Sequence, residues 1–335
     1  MKFVIRGFYR KRGATLKFVL VGAHMFWWLY KSPNGVDDPS KPWPTILWLQ
    51  GGPGGSGVGF GNFGEIGPLD VNLKPRNSTW LQKANLLFVL SWGPLLKDVS
   101  RIDDVGLNKS NSLALKIQQQ IADGQYEAAT SSWSELEGVI LVNSNNVNFY
   151  NFMLDDGDSP AIENKKASRQ LRKKSYATIS KTDDDPDLGT VMNGPIREKL
   201  KIIPANVTWG GQSDAVFSAM EGDFMKPRIA EIDELLSKGV NVTVYNGQVD
   251  LICATKGAEA WIKKLKWDGL VTYLSLSRTP LYCGEDQSTT KGFFRSYNNF
   301  AFYWILGAGH FVPVEQPCVS LQMVGSIVNS PNGNL

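Results

Sequence analysis

Apolar positions along the chain change their spacing twice. In the first third they fall into short runs separated by glycine- and proline-rich turns: Phe18–Tyr30, Thr45–Leu49 (TILWL) and Asn85–Val89 (NLLFV). Short apolar runs bounded by turn residues fit buried strands, and all three are expected to be strands. Thr45–Leu49 runs straight into the glycine loop GGPGGSGVGFG, the way an α/β enzyme presents backbone N–H groups to a substrate. In the middle the period lengthens. Leu113, Ile117 and Ile121 recur every four residues before Gly124, and Trp133, Leu136 and Ile140 repeat the pattern. Two amphipathic helices follow from that spacing, the first capped by its glycine.

From about Ile202 the alternation of strand and helix returns. Arg228–Leu236 reads as a helix broken by Gly239, and Val240, Val242 and Val244 alternate as a strand. Asn246-Gly247 is expected to turn the chain and deliver Asp250, ahead of a helix over Thr255–Leu265. Phe300–Leu306 (FAFYWIL) reads as a strand, Gly307–Gly309 deliver His310, and a last helix is expected from about Val319 to Ile327. Between these regimes, Lys165, Lys166, Arg169, Arg172, Lys173 and Lys174 precede Asp183, Asp184, Asp185 and Asp187. Opposite-sign blocks of this kind describe a solvated, mobile loop, with a nuclear-import or polyanion site as the lesser reading. The predicted class is α/β. Residues 1–100 and 201–335 form the two parts of one α/β domain, and 101–200 a helical insertion that includes the charged loop.

Composition narrows the function. A net charge of +3 over 335 residues gives no nucleic-acid surface. With only His24 and His310, a His-rich zinc site is excluded and neither metal nor cofactor is expected. The run Phe18–Tyr30 is shorter than the roughly 18–20 residues a bilayer requires, so no membrane span is expected. Lys17 and His24 interrupt it and no small-x-small cleavage site follows, so it makes no convincing signal peptide. Cys253, Cys283 and Cys318 allow at most one internal bridge. Sequons at Asn77, Asn108, Asn206 and Asn241 nudge toward a secretory history.

Two strands thus end in loops carrying Asp250 and His310. The C-terminal ends of strands in an α/β sheet are where catalytic groups are placed. A carboxylate on one such loop can orient a histidine on the next, which is two-thirds of a Ser–His–Asp device in α/β-hydrolase order. The residues alone also permit a loop aspartate and a structural histidine.

The blocks TILWLQGGPGGSG, EIGPLDV, VYNGQVDLIC and GAGHFVPVEQP resemble, in order, the serine carboxypeptidase family, particularly its plant serine carboxypeptidase-like and retinoid-inducible branch. The resemblance covers about Ala23–Val89 and Trp92–Pro331. It implies an α/β-hydrolase fold with a helical insertion, and removal of C-terminal amino acids from peptides through an acyl-enzyme. Peptide C-termini or acyl substrates, and a secretory-pathway location (extracellular, vacuolar or lysosomal), come with it. By motif position it makes Asp250 the catalytic aspartate and His310 the general base. Gly51 and Gly52 become oxyanion-hole donors, which stabilise charge developing on a scissile carbonyl. Trp48, Gln50 and Glu65 match the positions that recognise the substrate's terminal carboxylate; Gln50 follows the branch, where the wider family has Asn. A carboxyl such as Glu65 accepts a carboxylate only with a shared proton, which favours acidic pH. Cys253, three residues after Asp250 in the loop expected to line the pocket, is expected to be a free thiol. Cys283 and Cys318 are the pair if a bridge forms.

One element of the pattern is absent. The family nucleophile sits in a G-E-S-Y-G elbow, and no G-x-S-x-G occurs in this sequence. Ser56 and Ser213 lack the glycine two residues on, and Ser175-Tyr176 lies in the charged stretch. Where family members continue from the strand matching NLLFV into D-S-P-x-G-x-G, this chain has LSWGPLLKDVSRIDD. The resemblance therefore implies a deletion at about Val89–Ser91 that removes the elbow and central strands, leaving an incomplete sheet. The expected outcome is a catalytically defective chain. Three alternatives stay open: a displaced serine keeping activity, a non-catalytic peptide- or partner-binding relic, and a poorly folding splice or gene-model product.

Overall fold

The computed structural model describes residues 27–35, 42–51, 55–90, 104–144, 147–154, 188–211, 213–284 and 288–329. The charged stretch 165–187, Ser175, Gly52 and the start of the apolar run from Phe18 lie outside them. Among the described residues, seven strands form two sheets. The first has the order β1-β3-β2, from Trp28–Tyr30 (β1), Thr45–Gln50 (β2) and Asn85–Leu90 (β3), with β2 parallel to β3. The second has the order β4-β7-β6-β5, from Val242–Gly247 (β4), Thr279–Leu281 (β5), Gly292–Tyr297 (β6) and Phe300–Ile305 (β7).

Local sequence explains most of these elements. In β2 the buried positions are Ile46, Trp48 and Gln50, alternating with less buried neighbours, as the two-residue period of a strand requires. β7 is buried along its whole length, FAFYWI, because neighbours pair on both edges and helices or the other sheet cover its faces. The middle third is a helical hairpin, α1 (Asp104–Ala122) and α2 (Tyr126–Asn143). Gly124 between them takes φ +72°, a left-handed conformation that glycine adopts without a Cβ clash. Helices α3 (Ile229–Ser237) and α4 (Thr255–Ile262) pack against β4 and β7 through Ile232, Leu236, Ala258 and Ile262. The last helix, α5, spans Pro317–Asn329.

Two expectations are corrected. Of the run from Phe18, residues 18–26 lie outside the described residues; the described part is a three-residue strand, Trp28–Tyr30, that is not buried throughout, with Leu29 exposed where β1 pairs only with β3 among the described strands. The strand expected from Val240 begins at Val242, and Asn246-Gly247 is its end rather than a turn beyond it. Asn246 and Gly247 stay in register with Trp304 and Ile305, so pairing with β7 overrides their turn preference.

Among the described strands, β2 and β4 each pair on one side only. The two sheets are joined by packing instead. Ile46, Trp48, Leu86 and Phe88 share one core with Ala301, Tyr303 and Ile305, and Val319, Met323 and Val324 of α5 complete it. A disulfide links Cys283 to Cys318, and Cys253 is reduced, as expected.

Candidate active site

Asp250 and His310 are carried to one place by β4 and β7. These strands run parallel and end in register, Gly247 opposite Ile305. The loops beyond them are tied by Gln248 N–H to the Ile305 carbonyl and Val249 N–H to the Ala308 carbonyl, both at 2.8 Å. Gly247 makes this approach possible: a Cβ there would come within 2.0 Å of the Gly309 carbonyl oxygen.

Asp250, buried, places Oδ2 2.8 Å from Nδ1 of His310, and its Oδ1 accepts the Cys253 N–H at 2.9 Å. His310 is anchored through its own N–H, which donates to the Tyr150 carbonyl at 2.6 Å, while the Tyr150 and Phe311 rings meet the imidazole edge-on. Burial alone would lower the imidazole's pKa. The Asp250 charge and hydrogen bond, with Cys253 beside them, outweigh it and push the ring to about 10. Cys253 is half-buried, with Sγ in a cluster whose donor atoms, including those of Asp250 and His310, lie within 4.8 Å of one another. Burial opposes its ionisation, but the adjacent His310 draws the thiol below its ordinary range.

The second group lies beyond β2. Trp48 Nε1 donates to Gln50 Oε1 at 2.8 Å, and Gln50 Nε2 donates to Glu65 Oε1 at 2.9 Å. Gln50 and Glu65 are fully buried. Glu65 belongs to a wide helical segment, Gly57–Ile66, capped by Ser56, whose Oγ accepts from Gly59 N–H and from Trp209 Nε1. Ser56 is thus a capping residue. Gly51 leaves β2 half-buried, and Gly55 packs so closely over it that a Cβ would sit 2.3 Å from the Gly51 carbonyl oxygen. Among the described residues no serine hydroxyl hydrogen-bonds the His310 ring. Of the sequons, Asn77, Asn108 and Asn206 are exposed and Asn241 is half-buried.

The profile of the serine carboxypeptidase family matches residues 18–91 and 96–330. The chain belongs to the serine carboxypeptidase family. Serine carboxypeptidase-like 51 of Arabidopsis thaliana is 44% identical over 416 residues, covering 92% of this chain and 90% of the relative. Retinoid-inducible serine carboxypeptidase of Mus musculus is 37% identical over 401 residues, covering 90% and 88%. Both alignments are longer than the 335-residue chain, so each includes relative sequence with no counterpart here. The crystal structure of a prohormone-processing carboxypeptidase from Saccharomyces cerevisiae superposes with a TM-score of 0.67 at 16% identity, covering 95% of this chain and 89% of that one. The fold is that of the α/β-hydrolases.

Sequence reasoning missed three supports of this candidate site. Tyr150 and Asn151 hold the His310 loop from a segment with no motif, and Glu315 accepts Gly309 N–H at 2.5 Å and Asn151 Nδ2 at 2.9 Å. Burial raises the Glu315 pKa. Glu315 was the legible one, a carboxylate five residues beyond His310 in the quoted block GAGHFVPVEQP.

Proposed function

We propose that this chain is a serine carboxypeptidase-like protein that retains the aspartate–histidine half of the catalytic device and lacks its serine, so that it is defective in serine-dependent peptide hydrolysis. The observation that carries this is the Asp250–His310 pair, formed at 2.8 Å with no serine hydroxyl bonded to the ring among the described residues. Three further facts support it. The sequence has no G-x-S-x-G elbow. The family match breaks between residues 91 and 96, next to the break in the sequence resemblance at about Val89–Ser91. Among the described strands, β2 and β4 each pair on one edge only, as loss of strands between them would leave them.

Asp250 then serves as the family's aspartate and His310 as its base, with Gly51 and Gly52 as oxyanion donors. The bonded chain Trp48–Gln50–Glu65 supports a second reading, a binder of peptide C-termini that no longer cleaves them, because its side chains are already held for a carboxylate. Residues 1–100 and 201–335 make up the hydrolase domain, and 101–200 the helical insertion built on α1 and α2. The disulfide and the exposed sequons favour a secretory-pathway location. No helix among the described residues is long and apolar enough to cross a membrane.

The test is a fluorophosphonate probe on the full chain, read by intact mass and peptide mapping. No serine adduct is expected. A stoichiometric adduct on any serine overturns the reading, and a cooperative thermal transition separates a folded relic from a poorly folding product.

A further inference from the structure

One nucleophilic side chain faces the Asp–His pair without a role in the serine mechanism. Cys253 is held by its backbone on both sides: its N–H donates to Asp250 Oδ1 and its carbonyl accepts from Asn246 Nδ2. The thiol is therefore fixed beside the ring, inside the 4.8 Å cluster, while Asp250 Oδ2 holds the ring through Nδ1. It is reduced and, as a residue, only half-buried. The electrostatics agree with the geometry, because thiol and ring shift in opposite directions, toward thiolate and imidazolium. A thiolate beside an imidazolium that a third group orients is how cysteine hydrolases generate their nucleophile.

We propose that Cys253 is a nucleophile of this site, accepting acyl groups from activated esters onto Sγ. The proposal rests on the reading that no serine serves His310, and goes beyond it by naming the atom that reacts. Sγ attacks the acyl carbonyl carbon; the S–C bond forms and the C–O bond to the leaving oxygen breaks. That oxygen departs with the electron pair and takes the imidazolium proton of His310. The products are a Cys253 thioester, a free alcohol or phenol, and a neutral imidazole. The neutral ring then accepts a proton from water as it attacks the thioester, releasing the acid and restoring the thiolate–imidazolium pair.

The full chain is treated with 4-nitrophenyl acetate and mapped by mass spectrometry, and separately alkylated with iodoacetamide across pH 5–9. One acetyl group on the Cys253 peptide is expected, with a nitrophenolate burst that Cys253→Ala abolishes. Alkylation of Cys253 is expected to rise less steeply between pH 6 and 8 than that of an ordinary thiol. A thiol of ordinary pKa near 8.5 would be about 0.3% thiolate at pH 6, and its rate would rise roughly seventyfold over that interval. His310→Asn should restore that slope, and the wild-type profile stands as a test even if the variant folds poorly. An unacetylated Cys253, or a wild-type rate that climbs like a free thiol, overturns the proposal. Stoichiometric acetylation of a serine overturns instead the reading beneath it.

Discussion

Replacing Asp250 with Asn should return His310 to a neutral ring at physiological pH. The substitution preserves side-chain shape and removes one charge, which now sits 2.8 Å from Nδ1 on a buried carboxylate. Burial is the largest influence on the ring and acts to lower its pKa; Asp250 is the main influence that reverses it, lifting the ring from 6.5 to about 10. That difference corresponds to roughly 5 kcal/mol of preference for the charged ring. Without the carboxylate, burial is opposed only by Cys253, so the ring should fall by several pH units, toward 6.5 or below. The chain has two histidines, so NMR of the imidazole Cε1–H protons gives two titrations, assigned with His24→Ala. The wild-type His310 signal should show no transition below pH 8, and Asp250→Asn should bring one into the range 5–7. The sign for stability follows. A ring with a raised folded pKa contributes stability that is fully present below about 6.5 and lost as pH rises through about 10. The depressed thiol contributes oppositely: its share is present above its unfolded value and lost as pH falls through the folded one. The stability deficit of Asp250→Asn should therefore be largest near pH 6 and shrink toward pH 10. A wild-type ring titrating between 6 and 7, or one unmoved by Asp250→Asn, refutes the electrostatic account.

Three other outcomes are expected. Reducing the Cys283–Cys318 bridge, or replacing both residues with Ser, should destabilise the chain by about 3–4 kcal/mol, the loop-closure value for residues 35 apart, read as a lower urea midpoint. Phe302→Ala, at a fully buried position on β7 that packs against Trp304, should cost about 3–5 kcal/mol in the same assay. Gly309→Ala should unseat the His310 loop, because the new Cβ would lie 2.2 Å from the Tyr150 carbonyl oxygen; the readout is loss of the raised His310 titration together with about 1–3 kcal/mol of stability.

What was legible in the sequence was whatever local period or local spacing determines. The helices α1 and α2 appear where Leu113, Ile117, Ile121, Trp133, Leu136 and Ile140 placed them, and α4 begins at Thr255 as expected. Asp250 and His310 were placed together because each follows a strand with a recognisable apolar run, and parallel neighbours bring such loops to one edge. The misreadings have a common cause in tertiary pairing. Whether Asn246-Gly247 turns or extends depends on β7, and how far β1 extends depends on β3, sixty residues away. Tyr150 was invisible for the same reason: it acts through its carbonyl, which any residue possesses.

If the serine is absent as proposed, the two-sheet arrangement of the described residues explains how so much of the site can stand without it. An α/β sheet ordinarily holds its catalytic loops in register through a continuous ladder, and among the described residues the ladder stops at β2 and β4. The Asp–His pair does not depend on that junction, since both loops belong to one sheet and their cross-bonds lie between β4 and β7. The Trp48–Gln50–Glu65 chain does not depend on it either, since its side chains are bonded among themselves on β2 and the adjoining helical segment. What crosses the junction is apolar burial: Ile46 and Trp48 from one side, Tyr303 and Ile305 from the other, closed by α5. Hydrophobic contact is non-directional, so it can hold two sheets together where hydrogen-bond registry is gone. It cannot restore the registry that places a serine against a histidine to within hydrogen-bonding distance. On the proposed reading, a fold kept by packing and a lost serine chemistry follow from one interruption between β2 and β4, and Cys253 lies outside it because Asp250 and His310 are on its own side.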